Sequence, residues 1–550
     1  MVRNLNSSNG TLRNIVIAAI AVTLSLSPWL NSDSLIIPKG TILFCLGLFL
    51  IPILIRHKSV FKSNRSLQLL LVLSLFFLLQ MVLVIFASKA PIEQEFFGRT
   101  GRALGFATYF SLILVMLGTV IHSTLDKSIL INNSMLLACV ISSGYCILQF
   151  FGYDIFKWVS LTNGIIGTLG NPNFQSSFIA MALLPALVLR VGNKRKISIN
   201  ILILAVLLYT LFICESTQGY IACIVSVGIF ISFYIWFQNK RLFVVYNLIF
   251  LCSGIIALFG MLNKGPLSTY LYKPSVQSRG EMWRTAFSTI MDNPWFGVGL
   301  DSFGDFSLFY RDLSTANGIN EFTDNTHNFF LQFAATGGLI LSLIYASILI
   351  FSFYSFLIVL KRMQKFDPNF FALFGSWVSF QLQSFISPAN ISMLVWNFII
   401  CGFLIGASKN LDGELNTLIG NSGKKQDLTR PFSYLLLIFA LVIMYPWFNS
   451  DRLAWKANET GDGLLAVRAA KMYPESSIRY SRITLALYNS GLLEQSLDVA
   501  RSAVEFNPRS VQGWFLILAN SKAPLEERLN ARNQILSLDP FNKEINDIKL

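Results

Sequence analysis

One histidine and two arginines stand out among the side chains between residues 278 and 338 because their chemistry is complementary. An imidazole is the side chain best matched to taking a proton near neutral pH, and His327 lies where this polar stretch meets an apolar block. Guanidinium groups hold phosphate oxygens through paired hydrogen bonds, and Arg279 and Arg284 lie at the start of the same stretch. A histidine accompanied by arginines indicates a substrate that carries phosphate.

More arginines are predicted on the same side of the molecule, namely Arg99, Arg102 and Arg311. Each could add to a phosphate site, although a single basic side chain on a surface is common. His327 also has an ordinary interpretation, as a residue at a helix start that is satisfied by the backbone or by Asp324.

The segment GTLGNPN at 167–173 contributes two further candidates. Asn171 and Asn173 could contact a substrate, or they could only cap the helix that follows. Both interpretations remain open at this stage.

Acidic residues of the polar stretch offer a metal site as an alternative. Asp301, Asp305 and Asp324 could bind a divalent cation together with His327, but the spacing matches neither DxD nor HExxH. The sequence also has no P-loop, dinucleotide fingerprint or Gly-x-Ser-x-Gly elbow. We therefore predict neither a metal nor a cofactor.

The composition places these residues in a membrane protein. Of 550 residues, 54% are hydrophobic and only 13% are charged, which is typical of a chain that crosses the membrane many times. With about 20 apolar residues per span, we predict an all-α, polytopic protein of about 12 to 13 transmembrane helices. They are placed near 14–30, 35–55, 67–87, 103–122, 129–151, 174–191, 198–214, 219–238, 243–262, 329–360, 370–388, 391–407 and 432–448.

The net charge of +14 follows the membrane topology and does not indicate nucleic-acid binding. With the N-terminus in the cytoplasm, every second loop is basic, as the positive-inside rule requires. Examples are Lys361, Arg362 and Lys365 in one loop and Lys424, Lys425 and Arg430 in another. The large polar loop and the C-terminal tail are then extracytoplasmic.

The tail from about Asp451 changes to charged, amphipathic helices. Prolines at 474, 508 and 540 close three similar units, at roughly the 34-residue period of tetratricopeptide repeats. We therefore predict four parts: N-terminal transmembrane helices (1–262), a large loop (263–328), C-terminal transmembrane helices (329–448) and a helical repeat domain (449–550) that could bind a protein partner.

Three segments resemble the bacterial O-antigen ligase and polymerase superfamily of membrane glycosyltransferases. They are GTLGNPNFQSSFIA at 167–180, SRGEMWRTAFSTIMDNPWFGVGLDSF at 278–303 and THNFFLQFAATGGLIL at 326–341. The resemblance implies a GT-C-like helical membrane fold. It also implies transfer of a glycan from an undecaprenyl-pyrophosphate carrier to an acceptor hydroxyl at the outer face of the bacterial plasma membrane.

The same resemblance implies residue roles. Arg279 matches the loop arginine expected to hold the pyrophosphate, and His327 matches the histidine expected to act as base, followed by Asn328 as in the family pattern. Gln218 stands where the family has a second arginine, so Arg99, Arg102 or Arg284 would have to supply that contact.

The chemistry expected is an inverting, metal-independent displacement that moves a glycan to a lipid, a growing glycan or a protein. These acceptors are not distinguished by the sequence. The alternative is a transporter or flippase of lipid-linked saccharides, which would place charged residues within the spans and repeat one half of the chain in the other.

Overall fold

The computed structural model describes residues 2–31, 33–154, 156, 165–189, 194–311, 323–411, 428–542 and 545. Two groups of residues named above lie outside this described part: the pair Lys424 and Lys425, and residues 312–322 of the polar loop.

The described residues form α-helices, one short 3-10 turn and no strand. The first fourteen helices are α1 Val2–Leu24, α2 Ile36–Arg56, α3 Lys58–Ser63, α4 Arg65–Ala87, α5 Ile92–Phe97, α6 Phe106–His122, α7 Ser128–Phe150, α8 Pro172–Val188, α9 Lys194–Ile213, α10 Thr217–Gln238, α11 Lys240–Met261, α12 Ser268–Leu271, α13 Pro274–Asp292 and α14 Gly304–Tyr310. The remaining nine are α15 Phe329–Arg362, α16 Pro368–Ser384, α17 Ile391–Lys409, α18 Thr429–Thr460, α19 Gly463–Ala470, α20 Ser477–Asn489, α21 Leu493–Phe506, α22 Val511–Ala519 and α23 Leu525–Leu538.

Eight of the described helices are long and apolar enough to cross a membrane, and four shorter apolar helices accompany them. Each of the thirteen predicted spans falls on one of these twelve helices or on α16. The prediction of an all-helical, polytopic membrane protein is confirmed. The main differences are at the ends: α1 stops at Leu24, and α18 continues to Thr460 across the predicted domain boundary at 449.

Helix α17 is the centre of the bundle. Its apolar window is wholly buried, and it packs against α1, α2, α6, α15 and α16. Helix α11 is the opposite case, because none of its apolar window is buried. An apolar helix with no protein neighbours on most of its surface fits a position that faces lipid.

The tail is built from antiparallel helix pairs that continue from α18. Helix α20 packs against α21, and α22 packs against α23, with a small apolar core between successive pairs. Helices α20 and α22 begin 34 residues apart, at Ser477 and Val511, which is the spacing read from the sequence. The structure therefore shows paired helices, and their assignment as tetratricopeptide repeats stays a prediction.

Candidate active site

Arg279 anchors the candidate site from the first half of α13. Its Nε donates to the carbonyl oxygen of Ile386 (2.7 Å), Nη1 to the carbonyl oxygen of Ser275 (3.0 Å) and Nη2 to Oε1 of Gln218 (3.3 Å). Burial lowers the pKa of this guanidinium from its ordinary value. All three acceptors are neutral, so the positive charge is held in place without being cancelled.

Gln218 connects Arg279 to the GTLGNPN segment. Its Nε2 donates to the carbonyl oxygen of Asn173 (3.3 Å), and the hydroxyl of Ser216 donates to Oδ1 of the same asparagine (2.8 Å). Asn171 caps α8 by accepting a hydrogen bond from the Asn173 backbone N–H (2.8 Å). The structure thus gives Asn171 the capping role and brings Asn173 to the same place as Arg279.

A cleft of about 170 Å³ lies beside these contacts. Its lining residues include Asn173 near the start of α8, Thr217 and Gln218 at the start of α10, and Ser275 near the start of α13. Helix N-termini carry partial positive charge, which favours anions. Three of them meet at one cleft with the Arg279 guanidinium, and this arrangement suits a phosphate group.

His327 lies in a tight turn that leads into α15. Its backbone has a φ of +52°, in the left-handed region that non-glycine residues seldom occupy. The turn is held by hydrogen bonds around the histidine: Asn325 Oδ1 accepts from the His327 N–H (2.9 Å), and Thr326 Oγ1 donates to the Asn328 carbonyl (2.7 Å). Asn328 caps α15 by accepting from the N–H groups of the next turn. Its predicted substrate contact stays a prediction.

Three charged neighbours surround the His327 imidazole. Burial, with Arg102 and Arg279 close by, lowers its pKa to about 4, and Asp324 opposes this shift. At neutral pH the imidazole is therefore uncharged and able to accept a proton. A stacked pair of rings, Phe330 and Phe385 (4.9 Å between centroids), joins the start of α15 to the end of α16, next to the Ile386 carbonyl that holds Arg279.

Glycines of the quoted motifs allow the backbone of the polar loop to touch the backbone of α15. Helix α15 is kinked at Gly338, which has φ +82°. The turn that contains Gly297 enters this kink, where Val298 N–H donates to the Ala335 carbonyl (2.9 Å). A Cβ on Gly297 would lie 2.6 Å from that same carbonyl oxygen, so only glycine fits without movement. These motif residues form the backbone contact between the polar loop and α15.

The other predicted arginines are in different surroundings. Arg99 forms an almost fully buried salt bridge with Asp305 (2.9 Å), and Arg102 pairs with Asp324 through two hydrogen bonds (2.9 and 3.0 Å). Although burial opposes ionisation, Arg102 lowers the pKa of Asp324 to about 2. Arg284 is exposed on α13 and does not line the cleft. A role for these three arginines in substrate binding stays a prediction.

The three aspartates considered for a metal have other partners in the structure. Asp301 accepts hydrogen bonds from the N–H groups of Arg99 (2.7 Å) and Leu104 (3.1 Å), and burial raises its pKa to about 7. Asp305 and Asp324 pair with arginines as described. In the part of the chain that the structure describes, no three His, Cys, Asp or Glu side chains cluster as metal ligands would.

The tail contacts the loop that carries these pairs. Asn507 Nδ2 donates to Asp305 Oδ2 (3.1 Å), and the Arg509 guanidinium lies 3.7 Å from the centroid of the Phe306 ring. Arg311 forms a salt bridge with the buried Asp539 (2.7 Å). The part of the polar loop that supplies Asp305 to Arg99 is therefore held between the membrane bundle and the tail.

Sequence reasoning missed Lys273, which lines the cleft beside Arg279. Its Nζ donates to the Thr217 hydroxyl (2.7 Å), across 56 positions of the chain. No local pattern connects the end of α12 to the start of α10, and only the position of Gln218 in a family motif could have drawn attention to this region.

Residues 180–346 match the family model described as O-antigen ligase. The match covers less than half of the chain, and it includes Gln218, Arg279 and His327. It supports the O-antigen ligase superfamily and a membrane glycosyltransferase of the ligase or polymerase type. The comparison with curated proteins found no match.

Proposed function

We propose that the protein transfers a glycan from an undecaprenyl-pyrophosphate carrier to an acceptor hydroxyl, with Arg279 holding the pyrophosphate and His327 acting as the base. The observation that carries this proposal is the pairing of a cationic cleft with the uncharged His327, whose pKa is lowered by burial, by Arg102 and by the cleft residue Arg279. The family match over 180–346 supports the glycan as the transferred group.

The reaction is written as one displacement. The His327 imidazole takes the proton from the acceptor hydroxyl as its oxygen forms a bond to the anomeric carbon. The bond between that carbon and the pyrophosphate oxygen breaks, and the electron pair leaves with the pyrophosphate. Arg279 and the N-termini of α8, α10 and α13 stabilise the negative charge that develops there. Attack opposite the leaving group inverts the anomeric centre.

Donor binding should also make His327 a stronger base. Before the donor binds, burial, Arg102 and Arg279 disfavour protonation of the imidazole. A bound pyrophosphate places negative charge next to Arg279 and offsets this effect, so the pKa of His327 rises once the donor is present. The base then gains strength only in the complex in which it is needed.

The full-length protein in nanodiscs, with a purified undecaprenyl-pyrophosphate glycan and EDTA, provides the test. Three acceptors are supplied in separate reactions: a lipid A core, an oligosaccharide and a peptide with free hydroxyls. Mass spectrometry identifies the product, and NMR gives the anomeric configuration. We expect transfer to one acceptor with inversion in the wild type, and its loss in His327→Ala.

Two results would overturn the proposal. Wild-type activity that needs a divalent metal would contradict the metal-independent mechanism. A glycan that only changes leaflet in proteoliposomes, equally in wild type and His327→Ala, would favour the transporter alternative.

The proposal includes an orientation of the protein in the membrane. We place the N-terminus in the cytoplasm of a bacterium and both the cleft and the tail outside its plasma membrane. The ends of α8, α10, α13, α15 and α16 that surround the site belong to one side of the bundle, which agrees with alternation of the predicted spans. The tail would recruit an acceptor or a protein partner.

A further inference from the structure

A second cation is needed at the cleft if Arg279 alone cannot neutralise a pyrophosphate. The family pattern places an arginine where this chain has Gln218. The structure shows that the Gln218 amide accepts a hydrogen bond from Arg279 and lines the cleft. The position is therefore in the site, but its side chain is neutral, and the charge must come from elsewhere.

Lys273 is the residue that supplies charge at this place. It precedes Pro274 at the start of α13 and lines the cleft together with Arg279. Its Nζ lies 2.7 Å from the hydroxyl of Thr217, the immediate neighbour of Gln218. The Lys273 ammonium therefore contacts the residue next to position 218, where the family pattern has its arginine.

The surroundings of Lys273 keep its charge available. Among the described residues its hydrogen-bond partner is a hydroxyl and not a carboxylate. Glu215 is the one acidic residue among the cleft-lining residues that the structure describes, against the two cations Lys273 and Arg279. Arg279 and Lys273 therefore leave a net positive charge, to which the three helix N-termini add.

The alternatives from the sequence fit less well. Arg99 and Arg102 are paired with carboxylates, and Arg284 does not line the cleft. We propose that Lys273 is the second pyrophosphate-binding cation of this protein and takes the place of the arginine that Gln218 replaces. This inference rests on the proposed function.

The test is binding of undecaprenyl pyrophosphate to the full chain in nanodiscs, with undecaprenol as the ligand without phosphate. Lys273→Met should weaken pyrophosphate binding about tenfold, as expected for one charge-assisted contact. Undecaprenol binding should not change. Lys264→Met is the matched control, because Lys264 is exposed on the same connection but does not line the cleft.

A rescue variant makes the test specific. Lys273→Met combined with Gln218→Arg should recover most of the lost affinity, because the guanidinium returns charge to the same place. Circular dichroism and the melting temperature of each variant exclude misfolding as the cause.

The outcomes separate the two proposals. Wild-type affinity in Lys273→Met, with binding lost in Arg279→Ala, would overturn the role of Lys273 and leave the donor site intact. Equal binding of undecaprenyl pyrophosphate by wild type and Arg279→Ala would instead overturn the donor site. Loss in Lys273→Met without rescue by Gln218→Arg would show that Lys273 acts by another route than replacing the arginine, and would also overturn the inference.

Discussion

The cations of this protein occupy two contrasting environments at the same end of the bundle. At the cleft, Arg279 and Lys273 donate to carbonyl, amide and hydroxyl oxygens. Where the tail meets the polar loop, Arg99 and Arg311 are paired with Asp305 and Asp539. A cation held by neutral acceptors keeps its charge for a ligand, whereas a cation paired with a carboxylate has already been neutralised.

The two environments predict different effects when a charged side chain is removed. A buried ion pair that loses one partner leaves an uncompensated charge and destabilises the fold. A cation held by neutral groups can be removed with little effect on the fold, but its anionic ligand then loses its partner. Variants at the cleft should therefore affect catalysis, and variants at the pairs should affect stability.

The largest effect is expected for His327→Ala. Removal of the proposed general base should lower the single-turnover rate by about 10² to 10⁴. Affinity for undecaprenyl pyrophosphate should not decrease, because His327 is uncharged in the free protein and does not line the cleft. Rapid-quench transfer and equilibrium binding measure the two quantities. A parallel fall in affinity would mean that His327 binds the donor and is not the base.

Asp305→Asn should have the largest effect on stability. It leaves the buried Arg99 guanidinium without its carboxylate, at a cost of about 3 kcal/mol or more. The matched control is Asp498→Asn, which breaks the exposed pair with Lys471 and should cost less than about 1 kcal/mol. Thermal unfolding in detergent measures both. Similar melting temperatures for the two variants would contradict the structural role of the buried pair.

The pH dependence of transfer tests how the Arg102–Asp324 pair influences His327. Arg102 lowers the pKa of the imidazole, and Asp324 raises it. In the proposed mechanism activity requires the uncharged imidazole, so kcat/KM should fall only as the pH drops through about 4. Arg102→Gln removes a positive charge, raises the pKa of His327 and moves this fall to higher pH. Asp324→Asn removes a negative charge and moves it to lower pH.

These profiles are measured with saturating and with limiting donor. The fall in kcat should lie at higher pH than the fall in kcat/KM, because bound pyrophosphate raises the pKa of His327. The proposal would be contradicted if the kcat and kcat/KM profiles coincide, or if both variants move the fall in the same direction. Either result would show that protonation of His327 does not cause the loss of activity at low pH.

Arg311→Ala should have the smallest effect on catalysis. It removes the salt bridge to Asp539 and leaves the cleft untouched. We expect unchanged donor affinity and faster amide exchange in α14 and α23, measured by hydrogen exchange with mass spectrometry. Unchanged exchange in both helices would contradict the proposed connection between tail and loop.

Local patterns predicted the elements, and long-range contacts determined what they do. The apolar blocks were sufficient to place the spans, because each span needs its own run of apolar residues. The carboxylate partner of Arg99 and the position of Lys273 depend on residues far away in the chain. Such partners have no periodicity, so the sequence could name candidate arginines but could not separate the paired ones from the available ones.

The most direct test of this distinction compares Arg279→Ala with Arg99→Ala in one preparation, by undecaprenyl-pyrophosphate binding and by melting temperature. We predict that Arg279→Ala loses about 10- to 100-fold in affinity, as for a charge-assisted contact, and keeps the wild-type melting temperature. Arg99→Ala should melt earlier and, below its melting temperature, bind the donor as the wild type does. The reverse pattern, with affinity lost in Arg99→Ala and kept in Arg279→Ala, would contradict the account. It would place the donor site at Arg99, where the polar loop meets the tail.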